Sequence, residues 1–250
     1  MNDNQCASIS FFRFDGVINK TWGFAQLLIS RMVLRRKKNI DFFKPLGTGS
    51  GLGYRAWPKF GVIGLFIVWK NKEEAVTFTE SSYFNSLISK SEEQFTVLMQ
   101  PTTSRGTWSD FNDWKLSKTD SSTPIICALT RATIKKRFLL DFWRMVPEIS
   151  RKQYNSPGLI FSQGVGEIPL LEQATFTIWE NKQSMEEFAF HTFHGKAVEK
   201  VRKVNGFKEQ MFTRFQPIMA IGTWEGKNIF EDYNVPTFHR IENTEVPVLG

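Results

Sequence analysis

The sequence predicts an α+β fold in which two tandem ferredoxin-like repeats close into one fused, pseudo-dimeric barrel. Three observations carry the prediction. A strand-like apolar run ends twice in a Trp followed by an Asn-Lys pair, at Trp69-Lys70-Asn71-Lys72 and at Trp179-Glu180-Asn181-Lys182. Each run leads into a helix-like stretch, then an aromatic strand ending in Gln-Pro (Gln100-Pro101, Gln216-Pro217), then Gly-Thr-Trp (Gly106-Thr107-Trp108, Gly222-Thr223-Trp224). Each half also alternates strand and helix periodicity in the order β-α-β-β-α-β, the ferredoxin-like order. Two such units can face their antiparallel sheets together, helices outside, with a pocket between sheet and helix in each half.

In chain order, residues 8–14 read as a strand that Asp15-Gly16 ends in a turn. Residues 20–36 read as a helix with Asn19 as its N-cap. That helix is apolar around most of its circumference and closes on Arg31, Arg35, Arg36, Lys37 and Lys38. Two readings stand for the cluster. Cations complement the dipole at a helix C-terminus. Alternatively the segment from Lys20 to Lys38 makes a peripheral membrane contact, its apolar face in lipid and its cations on headgroups. The stretch holding Gly47, Gly49, Gly51 and Gly53 lacks the Lys-Ser/Thr of a phosphate loop and reads as a bent strand end or hairpin. Residues 60–69 form a buried strand, 73–89 a helix and 94–100 a strand.

The first repeat thus spans residues 1–108. Residues 109–123, rich in Ser, Asp and Lys, form a linker. The second repeat, 124–224, opens with a strand at 125–130, and aligning it with residues 8–14 places Arg131 over Arg13. A helix at 135–149 containing Pro147 follows, then strands at 158–163 and 173–179. Gly164 and Gly166 mirror Gly49 and Gly51. A helix at 184–204 and a strand at 207–216 complete the repeat. Residues 225–250, punctuated by Pro, Glu and Asn, read as an irregular tail.

At 250 residues the chain can bury a substantial core, and its 24 Phe and 8 Trp suit either a packed interior or walls around a flat apolar ligand. The net charge of +7 suggests an anionic partner or surface. No aromatic RNA-binding signature and no zinc-finger spacing occurs, so nucleic acid is not expected. Cys6 and Cys127 form no metal-type spacing, and a reducing cytoplasm is the default. The N-terminal residues lack a signal peptide's basic and apolar regions. The longest apolar runs, 61–69 and 22–29, fall short of a membrane span. The expectation is a cytoplasmic protein, soluble or peripheral on the inner face of the membrane.

His194 is the candidate ligand. At equal distance past the anchoring Trp, the first repeat has Phe84 and the second has His194, so one site per chain is expected rather than two. Phe193 precedes it and Gly195 follows, leaving space for a flat ring. A histidine in such company is a candidate axial ligand to haem iron, and equally a histidine that caps or packs a helix. His191, three residues earlier, can be a neighbour of the ligand, an alternative ligand or surface. Arg13 and Arg131, read as matching strand ends, can bind a propionate or donate a hydrogen bond on the distal side; Arg13 can equally form a structural ion pair to the other repeat. With His239 the only other histidine, no Ser-His-Asp or Cys-His arrangement is legible. No carboxylate pair argues for glycoside chemistry.

These residues resemble a known family. Phe12-Arg13-Phe14-Asp15-Gly16, Ala128-Leu129-Thr130-Arg131-Ala132-Thr133-Ile134, Val146-Pro147-Glu148-Ile149-Ser150, Gly164-Val165-Gly166-Glu167-Ile168-Pro169-Leu170-Leu171, Phe176-Thr177-Ile178-Trp179 and His194-Gly195-Lys196-Ala197-Val198 are similar in order and spacing to spheroidene monooxygenases. The resemblance runs from about residue 8 to 224. It implies a haem b oxygenase that uses O2 and electrons from reduced ferredoxin to place hydroxyl, then keto, oxygen on an acyclic carotenoid. It carries the iron ligand to His194 and the strand-end arginines to Arg13 and Arg131. Other haem chemistry on the same barrel (aldoxime dehydration, haem degradation), a non-catalytic haem or carotenoid carrier, and a cofactor-free interaction module are the alternatives.

Overall fold

The computed structural model describes residues 5–49, 58–120, 123–191 and 193–238. Gly51, Gly53 and residues 239–250 therefore lie outside the described residues. The first repeat comprises β1 (Cys6–Arg13), α1 (Val17–Arg35), β2 (Ile40–Gly49), β3 (Pro58–Trp69), α2 (Lys72–Thr79), α3 (Ser82–Lys90) and β4 (Glu93–Gly106). The second comprises β5 (Ile126–Ile134), a 3-10 turn (Lys136–Phe138), α4 (Leu139–Tyr154), β6 (Leu159–Gly166), β7 (Glu172–Trp179), α5 (Lys182–His191), α6 (Phe193–Lys203) and β8 (Phe207–Gly222). A short β9 (Thr237–Phe238) pairs parallel to β8.

The expected barrel is present. The strands run β4-β1-β3-β2-β6-β7-β5-β8, and β8 returns to pair with β4, so eight antiparallel strands close on themselves. Closure removes the open sheet edges that a single ferredoxin-like unit would expose. The two seams between repeats differ. β4 and β8 pair along nearly their full length, from Phe95↔Gly222 to Gly106↔Met211, whereas β2 and β6 share Gly47↔Gly166 and Thr48↔Val165.

An eight-stranded barrel is just wide enough to be filled by side chains. Alternate residues of every strand face inward, and this interior is packed with rings: Phe11, Phe66, Phe95, Phe161, Phe176 and Phe215, closed at its ends by Trp108 and Trp224. No room for a ligand is left there. The outward faces of the strands carry the helices, and there a ligand can enter.

Several local expectations are corrected. The first helix begins at Val17 after Gly16, whose φ of 70° is left-handed, and not at Asn19. The single helix expected over 73–89 is two, because the Ser81 hydroxyl accepts a hydrogen bond from the Phe84 N–H and starts a new N-terminus. The helix expected over 184–204 is present as α5 and α6, on either side of residue 192, which lies outside the described residues. Gly166 is the counterpart of Gly47, each lying opposite the residue six before its repeat's Trp, and the two pair across the thin seam. The segment between repeats is strapped down, since Gln5 accepts from the Lys115 N–H and Gln216 from the Asp120 N–H. The tail expected to be irregular from residue 225 buries Phe230 and Val235 against the barrel and supplies β9.

Gly106 and Gly222 end the long seam in the same way. Each has φ of 84°, and a Cβ on either would lie 2.1 Å from a carbonyl oxygen, of Gln210 and Gln94 respectively. Left-handed backbone and steric contact both select glycine here. Gly222→Ala is therefore expected to lower stability by about 2 kcal/mol or more. This is read as a fall of roughly 5 °C in the thermal midpoint followed by circular dichroism; an unchanged midpoint would show the turn to be permissive.

Candidate functional site

The Gly-Thr-Trp turns build a reciprocal clasp at the barrel ends. Arg13 Nη1 meets Glu93 at 2.9 Å and Nη2 reaches Glu225 at 3.7 Å, while its guanidinium lies 4.5 Å from the ring of Trp224 in the other repeat. Arg131 is paired with Glu209, stands 3.4 Å from Glu172 and 3.7 Å from Glu167, and lies 5.8 Å from the ring of Trp108, again in the other repeat. Trp108 donates to Glu167 at 2.5 Å, and Lys44 of the first repeat meets the other oxygen of that carboxylate at 2.5 Å. Partial burial of Glu209 tends to raise its carboxyl, but hydrogen bonds from the Thr107 hydroxyl and the Asp110 N–H, with the Arg131 charge, hold it below the usual glutamate value.

The register shows that the two arginines are not equivalent. Cys6 faces Trp69 and Ile126 faces Trp179; Arg13 faces Glu93, and Thr133 rather than Arg131 faces Glu209. The counterpart of Arg131 is thus Phe11, one inward position deeper, and the counterpart of Arg13 is Thr133. Arg131 also points into the barrel with Cys127 and Leu129, and is 2% exposed. It is walled off by the sheet from the helices that carry His194, so the expected distal or propionate role beside His194 is not what the geometry provides for either arginine. Both brace the barrel.

Applied to the outward faces, the same register sets the two repeats apart. In the first repeat the layer between sheet and helices is continuous: Phe12, Ile63, Leu65, Leu98, Phe84 and Leu87 are all buried in one cluster, with Phe12 and Phe84 edge to face at 5.5 Å. The aligned positions of the second repeat hold Ala132, Gln173, Thr175, Arg214, His194 and Ala197. The layer there divides into two small clusters, one around Trp179, Met185 and Phe188, the other around Ile134, Phe138 and Val201. Between them on β5 stands Thr130, exposed although its strand lies between two others; its counterpart Ser10 is buried and hydrogen-bonded to Thr96. A phenyl ring has become a methyl group and leucines have become Thr, Arg and Ala, so the layer that is packed solid in the first repeat is smaller and more polar in the second, where Arg214 pairs with Glu186 of α5 at 3.1 Å.

The helix over that space is α6, which begins at Phe193 and packs against α4 and α5. His194 is its second residue. The side chains of His191, Phe193 and His194 lie outside the described residues, so only their places on the helices are assigned. Gly195 has a use other than the expected room for a flat ring. A Cβ there would lie 2.4 Å from the carbonyl oxygen of Phe190, so the glycine lets the backbone beside His194 lie close against the end of α5. Thr130, Ala132, Thr175 and Ala197 were missed by sequence reading. Their signal, small or polar residues at the counterparts of buried apolar ones, is visible only once the register is known.

No protein-family model matches the chain. It is 35% identical over 227 residues to a spheroidene monooxygenase of Cereibacter sphaeroides, covering 90% of this chain and 70% of that protein. It is 34% identical over 227 residues to the spheroidene monooxygenase of Rhodobacter capsulatus, covering 89% of this chain and 94% of that one. Among solved structures, an aldoxime dehydratase superposes with a TM-score of 0.58 at 10% identity, over 87% of this chain and 83% of its own. A second, in complex with butyraldoxime, gives 0.53 at 11%, over 87% and 81%. These two show the fold alone. The sequence relatives show the family: the chain belongs to the spheroidene monooxygenases and is an oxidoreductase.

The clasp makes a pH prediction. Because the Glu209 carboxyl is held below its usual 4.5, its contribution is present above that value and is lost as pH falls through the lowered one. Urea midpoints of the wild type are expected to drop more between pH 7 and pH 4 than those of Glu209→Gln, which starts lower at pH 7. Parallel pH profiles for the two proteins would remove Glu209 from the account.

Proposed function

We propose that this member of the spheroidene monooxygenase family binds one haem b in the open layer of its second repeat, on His194 of α6, and oxygenates an acyclic carotenoid there. O2 and electrons from a reduced ferredoxin would serve as co-substrates. The observation that carries the reading is the layer itself. The space that Phe12 and Phe84 occupy in the first repeat is bordered in the second by Ala132, Thr175, Ala197 and the start of α6. Ala132, Thr175 and Ala197 suit a flat macrocycle, since small side chains clear its plane, His194 stands where the first repeat has Phe84, and Gln173 and Arg214 supply polar groups at its edge.

The haem would supply activation of O2, its electronics set by the histidine ligand. The residues of the chain do the rest. Gly195 lets the start of α6 lie close against the end of α5, and Ala132 on the sheet and Ala197 on the helix leave both sides of the layer clear. Thr130 and Thr175, neighbours across β5 and β7, offer hydroxyls at the floor that can hydrogen-bond a polar group in an otherwise apolar space. Phe188, stacked on Trp179 at 5.5 Å, closes one side. In each hydroxylation one atom of O2 goes to carbon and the other to water, two electrons and two protons being taken up. A second hydroxylation at the same carbon gives a diol that loses water to leave the ketone.

Absorption spectra test the cofactor. Protein loaded with haem is expected to show a Soret band that is lost or strongly shifted in His194→Ala. Ala132→Phe, which rebuilds the packed layer of the first repeat, should block loading without lowering the thermal midpoint. Phe12→Ala, in the first repeat, should cost about 3–5 kcal/mol of stability and leave the band in place. No band after loading, or an unchanged band in His194→Ala, would end the haem reading. Oxygenated carotenoid should form only with both O2 and the electron donor present.

A further inference from the structure

Helix α1 packs Trp22, Leu27 and Leu34 on the core of the first repeat, and yet it is also apolar on its outward side. Its buried positions are Gly23, Gln26, Ser30 and Leu34. A Cβ on Gly23 would sit 2.5 Å from the ring of Phe14, so the helix lies close to the sheet. Gln26 and Ser30 are satisfied through Tyr83, whose hydroxyl lies 2.7 Å from Ser30 and 3.3 Å from Gln26. Its outward side carries the large apolar residues: Val17 is 81% exposed, Ile18 84%, Phe24 49%, Leu28 67% and Met32 59%. Val17, Phe24, Leu28 and Met32 recur at four- and seven-residue intervals, which is one stripe of a helix. Phe60, 58% exposed, extends the stripe by packing edge-on against Phe24 at 5.4 Å.

Cations frame the stripe. Lys20 and Arg31 lie along its border, and Arg35, Arg36 and Lys38 close its C-terminal end. No acidic residue occurs between Asp15 and Asp41. Arg31, Arg35, Arg36 and Lys38 are solvent-exposed and have no ion pair among the described residues. The helix-dipole explanation of the basic cluster covers the last turn. Lys20 is paired with Asp15 at 2.8 Å, but neither that pair nor the dipole accounts for Arg31 or for an exposed apolar face.

We propose that α1 docks the protein, lying flat, on an anionic lipid surface, with Phe24, Leu28, Met32 and Phe60 below the headgroups and the cations among them. Lipid fits better than a protein groove. The stripe is the convex side of a straight helix, Phe24 to Met32 alone span about 12 Å, and the apolar-stripe-with-cation-border pattern is that of interfacial helices. No helix of the described residues is long and apolar enough to cross a membrane, so the contact is one of lying on the surface. The inference rests on α1 and not on the haem reading, and fails or stands separately from it.

Purified full-length protein should co-sediment with vesicles containing phosphatidylglycerol and much less with phosphatidylcholine alone, the difference shrinking at high salt. Leu28→Asp and Met32→Asp are each expected to weaken binding at least about tenfold at an unchanged thermal midpoint. Leu140→Asp, at an exposed leucine of α4 (74%), should leave binding as it was. The idea is overturned by absence of binding to the anionic vesicles, by binding that Leu28→Asp leaves intact, or by an equal loss in Leu140→Asp. An acidic protein captured through α1 without any vesicle binding would overturn it too.

Discussion

Everything in this molecule depends on the seam where β4 and β8 pair. Strands of 14 and 16 residues lie side by side there, and each ends in a left-handed glycine that turns its Trp into the territory of the other repeat. Trp108 lies against Arg131 and Trp224 against Arg13. Each arginine is also tied to the glutamate near the start of its own repeat's last strand. Neither repeat can complete its barrel end alone, which makes the crossing a constraint on closure as well as a contact. The charges are largely sheltered, so removing one member would leave partners buried and unmatched; that asymmetry matters more than any gain from the pair itself.

Closure in turn decides where function can lie. Eight strands enclose a space that Phe and Trp side chains fill. The faces left for function lie outside the barrel, under the helices, and there duplication has let the repeats diverge. The first keeps a continuous apolar layer around Phe12 and Phe84. The second replaces large apolar side chains with Ala, Thr, Gln, Arg and His. Changes of that kind cost about 2–5 kcal/mol each in a filled core. The second layer is thus held in place by the shared barrel, and by the few contacts that survive in it, such as Trp179 on Phe188.

Much of this was legible in the residues, and the error that was made has a simple cause. The duplicated Trp, Gln-Pro and Gly-Thr-Trp signatures located β3, β4, β7 and β8, apolar runs located β1, β5 and β6, and the family resemblance ran through many of the same stretches. Aligning the first strands by their apolar pattern, however, set Arg131 over Arg13, two residues out of true register. In a strand, successive side chains point to opposite faces, so a slip of two residues keeps every inward residue inward and every outward one outward. Hydrophobic pattern cannot detect it. Cross-strand pairing can, and it moved Arg131 to the barrel interior and exposed Ala132 as the counterpart of Phe12.

The sequence by itself determined the repeat, the α+β class, the placing of a lone histidine where the other copy has phenylalanine, and the family. Those are statements about local periodicity and residue identity, which a linear chain carries in full. Tertiary structure alone decided which arginine meets which carboxylate and that both arginines face away from α6. It also decided that α1, while packing Trp22, Leu27 and Leu34 on the core, leaves Phe24, Leu28 and Met32 facing outward. Each of these depends on distances between residues tens of positions apart, and such distances exist only after the barrel has closed.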